Sequence, residues 1–446
     1  MRFGTAKEII TPAQKTKISC VGIFDADFDY IHDDAFIRCL VCDDGREKAV
    51  FMSADLLFHD RGLNDGISEY ANEKYGIARS AVTLAYTHAH TAPASRGYNY
   101  GHDNDDYEVF LLERAKACLD RALCSMFEGS FEYGSFTAEL NVSRRGNIDG
   151  EFQNMPSFDY PRDTELFLFC VRDTAGRVRS VVVDYACHPT FYPARNAISA
   201  EYPGRLCQLL DTNYYGCISL FFQSACGDVR PAVAVRRNSD GTPVEITKDM
   251  KFSDIWKNDF TFDDIDSFAK SLLNEVIGHI ETGELIKTEL SIASHAFEVE
   301  LPMETKPISF FEERAQKLEN HRDCPDKANA KYILDGRYEK LPKVMPLFCS
   351  VLRMANDLFV ATMGGEPCFG VKQAVCSAFA DRKVCFIGYT DSCAYIVSDR
   401  MLDEGGYEPC CHLEFCHIGP FLHPLDEKYR EGFLNAVSVI EGDKAL

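Results

Sequence analysis

Six apolar, β-branched segments recur along the chain, and each runs directly into polar or potential metal-ligating residues. Continuous apolar runs of this length are typical of strands that are buried on both faces. Helical segments lie between several of them, for example at 107–126, 260–281 and 367–380. The alternation predicts an α/β fold of layered mixed β-sheets flanked by helices. The six segments are 49–54 before Asp55, 81–86 before His88 and His90, 181–186 before His188, 218–222 before Gly227 and Asp228, 358–362 before Glu366, and 384–387 before Asp391.

The polar residues that follow these strands are expected to share one cleft, because sites in such folds collect just beyond the carboxyl ends of the strands. The chain has 446 residues, which allows two domains or one large layered domain. The polar stretch 236–258 is interpreted as a lid or rim loop, and the charged stretch 304–345 as an outer helical layer. Neither is typical of a linker, so a single domain over 1–446 is predicted.

Charge and composition limit the classes of molecule that the protein is expected to bind. A net charge of −22 argues against nucleic acid or an anionic membrane surface, since both would repel the chain. No apolar run reaches the ~18 residues of a transmembrane segment, and the N-terminus has no apolar leader. The sequence therefore predicts a cytoplasmic protein whose 19 cysteines are mostly buried, reduced thiols.

His88 and His90 follow a predicted strand, where residues i and i+2 project to the same side. Both imidazoles can bind one metal, or one can bind while the other contacts substrate; ordinary hydrogen-bonded histidines are the third interpretation. The small flanking residues indicate a tight polar loop and favour a site.

His188 and Glu366 end two further predicted strands. Taken singly, His188 is a strand-end histidine, and Glu366 is an acid at a strand-to-helix turn, where a helix N-terminus favours a carboxylate. Together with His88 they supply the two imidazoles and one carboxylate that are typical of catalytic zinc. The sequence therefore predicts a zinc site.

Other cysteine-rich segments are weaker metal candidates. Cys39 and Cys42 lie in a predicted strand, where i and i+3 face opposite sides, so a metal clamp is not expected. A C-terminal cluster lacks regular zinc-knuckle spacing. Its members are Cys410, Cys411, His412, Cys416 and His417.

Taken in order, these motifs resemble the catalytic N-terminal domain of the neutral (alkaline, non-lysosomal) ceramidases, zinc amidases that cleave the N-acyl bond of ceramide. The resemblance covers nearly the whole chain, which looks like a short, cytoplasmic, bacterial-type homologue without the C-terminal immunoglobulin-like domain of many members. In particular, 87–93 is similar to the family's Thr-His-Thr-His-Ser-Gly-Pro. The other matching segments are 4–12, Gly22 with 37–45, 141–145, 188–190, 198–204, 227–231, 364–366 and 388–398.

The resemblance implies a role for each matching residue. His88, His188 and Glu366 would be zinc ligands, with Tyr395 as the fourth. His90 and Arg144 would polarise or hold the scissile carbonyl, and Gly22 would contact substrate. Independently of the resemblance, Asp228 is a candidate proton carrier beside His90 and Asp55, and Arg230 is a candidate substrate contact. The candidate site therefore consists of the metal ligands His88, His188, Glu366 and Tyr395, the catalytic residues His90, Arg144 and Asp228, and the substrate-binding residues Gly22 and Arg230.

Two residues depart from the family pattern. Cys393 occupies an expected tyrosine position, and Arg230 stands where the family has a serine in Gly-Asp-Val-Ser-Pro. A guanidinium in the cleft would bind a carboxylate or phosphate, so the substrate is expected to be smaller or more anionic than ceramide. The alternative is that Arg230 forms a structural salt bridge with a nearby acid.

The favoured hypothesis is zinc-dependent hydrolysis of a C–N amide bond in a small-molecule or lipid-amide substrate, with zinc lowering the pKa of a water molecule toward ~7. The alternatives are a zinc esterase or phosphoesterase, and a metal-binding relic without turnover. A serine hydrolase is disfavoured, because the sequence contains no Gly-x-Ser-x-Gly elbow.

Overall fold

The computed structural model describes residues 1–12, 17–20, 23–59, 61–93, 105–194, 196–247, 249–319, 325–392, 394–410 and 419–442. The strands of these residues are β1 (Arg2–Ile9), β2 (Lys17–Cys20), β3 (Ile23–Asp27), β4 (Tyr30–Ile31), β5 (Phe36–Asp43), β6 (Lys48–Ala54), β7 (Val82–Tyr86), β8 (Phe127–Thr137), β9 (Asn141–Ile148), β10 (Glu151–Ser157), β11 (Glu165–Asp173), β12 (Val178–Tyr185), β13 (Ala197–Ile198), β14 (Leu220–Gln223), β15 (Val229–Pro231), β16 (Ile286–Thr288), β17 (Ala293–Pro302), β18 (Val344–Ala355), β19 (Leu358–Met363), β20 (Glu366–Pro367), β21 (Lys383–Ile387) and β22 (Tyr395–Ile396). The helices are α1 (Arg61–Tyr75), α2 (Asp105–Cys124), α3 (Glu201–Asn213), α4 (Phe252–Ile255), α5 (Phe262–Glu281), α6 (Ile308–Lys317), α7 (Pro325–Leu334), α8 (Phe369–Cys376), α9 (Asp399–Glu404) and α10 (Asp426–Glu441).

A nine-stranded mixed sheet forms the larger part of the fold, in the order β14-β12-β11-β8-β1-β5-β6-β7, with β16 beside β8. The sheet folds over on itself, since the Phe51 ring of β6 lies 6.1 Å from Phe169 of β11 and 6.5 Å from Phe222 of β14. Ser53 on β6 also donates a hydrogen bond to the Phe221 carbonyl on β14. Residues of β5 and β6 are buried almost throughout, which explains their continuous apolar sequence.

A second, four-stranded sheet has the order β17-β18-β19-β21. Its apolar face packs with α8 and α10 in one hydrophobic cluster, to which Phe359, Val371 and Phe433 belong. The amphipathic pattern of α10 places Tyr429 and Phe433 on its buried side.

Within the two larger sheets, three pairs of neighbouring strands are parallel: β6 with β7, β12 with β14, and β19 with β21. Their carboxyl ends are tied together across the two sheets, because Tyr86 N donates to Tyr389 O at 3.0 Å and Gly388 N donates to Gln223 O at 2.9 Å. The Gln223 side chain then donates to the carbonyls of Thr87 (3.0 Å) and Cys187 (3.2 Å). The loops that leave these strands therefore meet at one place.

The predicted α/β class is confirmed, and the six apolar segments correspond to β6, β7, β12, β14, β19 and β21. The predicted helices correspond to α2, α5 and α8. The stretch 304–345 contains α6 and α7, and 236–258 is mostly loop around the short helix α4. Cys39 and Cys42 both lie in β5, and the cysteines of the described residues carry free thiols. Within the described ranges, no helix combines the length and the apolar character that a bilayer crossing requires.

Gln223 provides a test of how these loops are held. We expect Gln223→Leu to lower the free energy of unfolding by about 2–4 kcal/mol, because the buried Thr87 carbonyl would lose its Gln223 donor and the Cys187 N–H its Gln223 acceptor, while the Cys187 carbonyl would keep only the Tyr202 hydroxyl. Urea denaturation followed by fluorescence measures the change. The exposed Gln316→Leu on α6 is the control and should change stability by less than about 0.5 kcal/mol. Equal effects of the two substitutions would contradict the cross-bracing role of Gln223.

Candidate metal centre

The loop that follows β7 carries His88 and His90. Thr87 N still donates to Ala54 O at 2.9 Å, as in a continuing strand pair. His88 then takes a positive φ of 60°, which is uncommon for a residue with a side chain and turns the loop sharply. The His88 Nδ1 atom lies 2.8 Å from the Leu57 carbonyl oxygen, and this contact fixes the ring.

Three imidazoles meet at their Nε2 atoms. His88 Nε2 lies 3.1 Å from His188 Nε2 and 3.2 Å from His90 Nε2, and His90 Nε2 lies 2.9 Å from His188 Nε2. All three side chains are buried, with exposed fractions of 3%, 4% and 1% for His88, His90 and His188. This histidine cluster is a group that can hold a metal ion.

The protons on these rings can be assigned from their other contacts. A carbonyl oxygen only accepts hydrogen bonds, so His88 Nδ1 donates to Leu57 O, and His188 Nδ1 donates, over a longer 3.4 Å, to Cys226 O. In a neutral imidazole the Nε2 atom then carries a lone pair. Lone pairs of His88 and His188 thus face each other at 3.1 Å, a repulsive arrangement that favours a cation between them.

Burial keeps the His90 and His188 rings neutral. It lowers the pKa of both well below the usual value, and the nearby positive charge of Arg144 lowers both further. Metal binding requires the neutral imidazole, so the environment favours ligation at neutral pH. Nitrogen ligands ~2.1 Å from one tetrahedral zinc ion lie roughly 3.4 Å apart, close to the spacing of this cluster.

Glu366 adds a carboxylate to the cluster. Its Oε2 atom lies 3.2 Å from His88 Nε2, yet this buried oxygen has no hydrogen-bond partner among the described residues. An orphaned carboxylate oxygen beside an unprotonated nitrogen is what a bound cation would satisfy. The two preceding glycines allow the close turn, since a Cβ on Gly365 would lie 2.6 Å from Ile396 Cγ1 and one on Gly364 only 1.8 Å from Asp391 Oδ1.

Asp228 occupies the helix N-terminus that the sequence suggested for Glu366. Glu366 itself lies in β20, three residues before α8 begins, so its interpretation as a helix-start acid was wrong. Asp228 Oδ1 instead accepts a hydrogen bond of 3.1 Å from Phe369 N, the first residue of α8. Burial and the nearby charge of Glu408 raise the pKa of Asp228 to about 7. Within the described chain, no hydrogen bond joins its carboxylate to the histidine cluster.

Arg144 is buried and paired. Its Nε donates to Glu408 Oε1 at 2.9 Å and one of its Nη atoms to the Gly227 carbonyl at 2.5 Å, while Glu408 Oε2 accepts from Arg145 at 2.7 Å. Burial alone would lower the pKa of Arg144, but Tyr395 and Glu408 raise it, and the net shift is upward. Arg144 therefore stays charged. The sequence did not single out Glu408, because an acid in a C-terminal helical segment is ordinary.

Tyr395 lies beside Glu366 in the backbone, since β22 pairs with β20 in parallel. Its ring lies 5.1 Å from the Arg144 guanidinium and 5.8 Å from the Tyr407 ring. A different tyrosine, Tyr389, packs against the histidine cluster, with its ring centroid 5.0 Å from that of His88.

Arg230 is buried without a carboxylate. Its exposed fraction is 4%, its Nε donates to Thr190 Oγ1 at 3.1 Å, and its guanidinium lies 4.5 Å from the Trp256 ring. Burial lowers its pKa to about 10. The structural salt bridge considered for Arg230 is absent among the described residues. A cation–π contact contributes roughly 0.5–2 kcal/mol, less than the several kcal/mol that burying an ion costs.

Glu201 and Tyr192 support the histidine loops and were not identified from the sequence. Glu201 accepts hydrogen bonds from Thr91 N (3.0 Å) and Phe191 N (3.3 Å), so it links both loops, and Tyr192 Oη lies 3.0 Å from His90 Nδ1. Positive φ values occur at His88 (60°), Tyr192 (51°), Glu201 (46°) and Tyr389 (62°). Backbone strain of this kind clusters at functional sites, and only coordinates reveal it.

Some predicted residues lie outside the described ranges. These are Gly22, Cys393 and most of the C-terminal cysteine–histidine cluster, namely Cys411, His412, Cys416 and His417. Cys410, the remaining member of that cluster, is exposed.

Two solved structures share this fold. Neutral ceramidase from Pseudomonas aeruginosa matches 100% of this chain and 75% of its own, with a TM-score of 0.71 and 14% sequence identity. A ceramidase complexed with C2 matches 100% of this chain and 76% of its own, with a TM-score of 0.71 and 16% identity. At these identities the likeness shows the fold. No protein-family model and no curated protein sequence matches the chain.

Asp55, the third candidate proton carrier, has a structural contact that a pH series can test. Its Oδ2 accepts from Phe36 N at 3.0 Å, and burial raises its pKa from 3.8 to about 7. Because the folded state binds the proton more tightly, this contribution to stability is complete below pH ~4 and is lost as the pH rises through about 7. We therefore expect wild type to lose stability relative to Asp55→Asn by up to ~1.4 kcal/mol per pH unit across that window.

Urea unfolding at pH 4 to 8 in the presence of a chelator measures this difference. The exposed Asp65→Asn on α1 is the control for removing a carboxylate at the surface and should change stability by less than about 0.5 kcal/mol. A pH-independent difference between wild type and Asp55→Asn would show that Asp55 is ionised in the folded protein.

Proposed function

We propose that the protein is a zinc-dependent amidohydrolase that cleaves a C–N amide bond in a substrate smaller or more anionic than ceramide. The observation that carries the proposal is the buried histidine cluster with the unsatisfied Glu366 Oε2 beside it. The solved ceramidases of the same fold support amide hydrolysis as the reaction. Zinc suits a set of imidazole and carboxylate donors.

His88, His188 and Glu366 would hold the ion through Nε2, Nε2 and Oε2. Two assignments of the zinc ligands fit these residues, and they differ in which side chain provides the fourth donor atom. In one, His90 Nε2 completes the set; in the other, Tyr395 does so and His90 contacts the substrate. The Tyr192 hydroxyl at His90 Nδ1 is compatible with both, because a hydroxyl can donate or accept.

Bound at this place, zinc would supply the Lewis acidity that acidifies water and polarises an amide carbonyl. In hydrolysis, the water oxygen bonds to the carbonyl carbon, the C–N bond breaks, and the leaving nitrogen takes a proton. His90, which is neutral and therefore able to accept a proton, is the proposed proton acceptor from water in the assignment that leaves it free of the metal. The positive charge of Arg144, fixed by Glu408, would stabilise negative charge on the carbonyl oxygen.

Asp228 is the less favoured proton carrier. Its raised pKa suits proton transfer, but its carboxylate is committed to the N-terminus of α8. It is better proposed as a positioning residue, because its backbone carbonyl also accepts a hydrogen bond from Arg144 N at 2.9 Å.

Zinc content tests the proposed ligands directly. We expect one zinc ion per chain in wild type, and losses of affinity in His88→Ala, His188→Ala and Glu366→Ala that exceed the roughly 10- to 100-fold typical of outer-shell changes. Zinc at 100 times its dissociation constant should raise the free energy of unfolding by ~2.7 kcal/mol in wild type but not in these variants. His295→Ala, a partly exposed histidine on β17, should retain zinc. Comparing His90→Ala with Tyr395→Phe identifies the fourth donor.

Activity then separates the possible reactions. Wild type with zinc should hydrolyse N-acyl amides, and a chelator should abolish this. Faster turnover of p-nitrophenyl esters or phosphates than of amides would favour an esterase or phosphoesterase. Zinc binding without hydrolysis of any of them would favour a metal-binding relic. Retention of zinc in all three ligand variants would contradict the proposed centre.

A further inference from the structure

We propose that Arg230 binds a carboxylate of the substrate, so that the amide cleaved at the histidine cluster belongs to an N-acyl amino acid or a similar anionic amide. This inference rests on the amidohydrolase function proposed above and adds the class of its substrate. The observation behind it is a buried guanidinium whose hydrogen-bond partners among the described residues are neutral.

The surroundings of Arg230 leave its charge unbalanced. Its hydrogen bonds go to Thr190, from Nε to Oγ1 at 3.1 Å and from an Nη atom to the carbonyl oxygen at 3.5 Å. Among the described residues, no carboxylate forms an ion pair with Arg230. The neighbouring charge is that of Arg144, which is itself neutralised by Glu408. Arg230 therefore has no counter-ion among the described residues, and an anionic ligand would supply one.

The position of Arg230 connects it to the proposed reaction centre. Thr190, which holds its guanidinium, lies two residues after His188, and Thr190 N donates to His188 O at 2.8 Å. On the same loop, Tyr192 Oη contacts His90 Nδ1 at 3.0 Å. The loop 188–192 thus contacts Arg230, carries the imidazole of His188 and contacts the imidazole of His90. A carboxylate bound by Arg230 would place a neighbouring amide close to the histidine cluster.

The aromatic residues around Arg230 hold it ready for such a ligand. Its guanidinium lies 4.5 Å from the Trp256 ring and 5.2 Å from the Phe252 ring. Trp256 is fully buried and fixed by a hydrogen bond from its Nε1 to Asn154 O at 3.0 Å. Stacking on an aromatic face leaves the edge of the guanidinium, with its N–H groups, for a planar carboxylate. Phe252 is 48% exposed, so one of the two rings beside the buried guanidinium reaches solvent.

The test compares a matched pair of amides on the zinc-loaded protein. N-octanoylglycine carries a carboxylate and N-octanoylglycinamide does not. We expect wild type to have a kcat/KM roughly 10- to 100-fold higher for N-octanoylglycine, the range that hydrogen bonds to a charged group contribute. In Arg230→Met this ratio should fall to about 1, and in Arg230→Lys, which keeps the charge but loses the planar fork, it should fall several-fold.

Arg237→Met is the matched control, because it removes one positive charge from the exposed part of the same rim loop and should leave the ratio unchanged. A wild-type ratio near 1, or a ratio that Arg230→Met does not change, overturns the inference. Faster hydrolysis of N-octanoyl-O-phosphoethanolamine than of N-octanoylglycine would assign a phosphate instead and overturn the carboxylate. If Arg230→Met does not fold, the ratio in Arg230→Lys decides.

A binding measurement separates this inference from the proposed function. If neither amide is hydrolysed, the amidohydrolase proposal fails, and calorimetric titration of the zinc-free protein decides the inference alone. Tighter binding of N-octanoylglycine than of N-octanoylglycinamide, lost in Arg230→Met or Arg230→Lys and kept in Arg237→Met, supports a carboxylate site. Equal binding of the two compounds to wild type overturns it.

Discussion

The meeting of imidazole lone pairs at one buried point is the constraint on which the account of this protein depends. His88 and His188 each commit a ring proton to a backbone carbonyl, so their Nε2 atoms face each other, 3.1 Å apart, without a proton to share. A fold gains nothing from burying these groups together unless a cation joins them. The orphaned oxygen of Glu366 leads to the same conclusion from a different element.

The fold produces this meeting by bringing together the carboxyl ends of three parallel strand pairs from two sheets. Gln223 links the loops after β7 and β12, and the Tyr86–Tyr389 hydrogen bond links the two sheets. Glu201 adds a second link between the histidine loops through Thr91 and Phe191. The strained φ values of the site residues are therefore held by bonds on both sides of each loop, which keeps the donors in place before a metal arrives.

Much of this could be predicted from the sequence, because both-face burial leaves a strong pattern. The six apolar segments predicted six strands, and the polar residues after them predicted a shared cleft that contains His88, His188 and Glu366. What the sequence could not supply is contact between side chains distant along the chain. Nothing local links Glu408 to Arg144, Tyr389 to His88 or Glu201 to the histidine loops. For the same reason the sequence did not show that Asp228, rather than Glu366, binds the N-terminus of α8. Either acid is compatible with a helix start, and only the fold determines which carboxylate accepts the hydrogen bond from Phe369 N.

The measurement that tests the central claim most directly is a crystal structure of the protein grown with zinc, with diffraction data collected on both sides of the zinc absorption edge. The account predicts one strong anomalous peak, bounded by the Nε2 atoms of His88 and His188 and by Oε2 of Glu366, at ~2.0–2.2 Å from each donor. The absence of a peak there, with the three side chains unmoved, would contradict it, as would a zinc ion bound elsewhere while the histidine cluster stays empty.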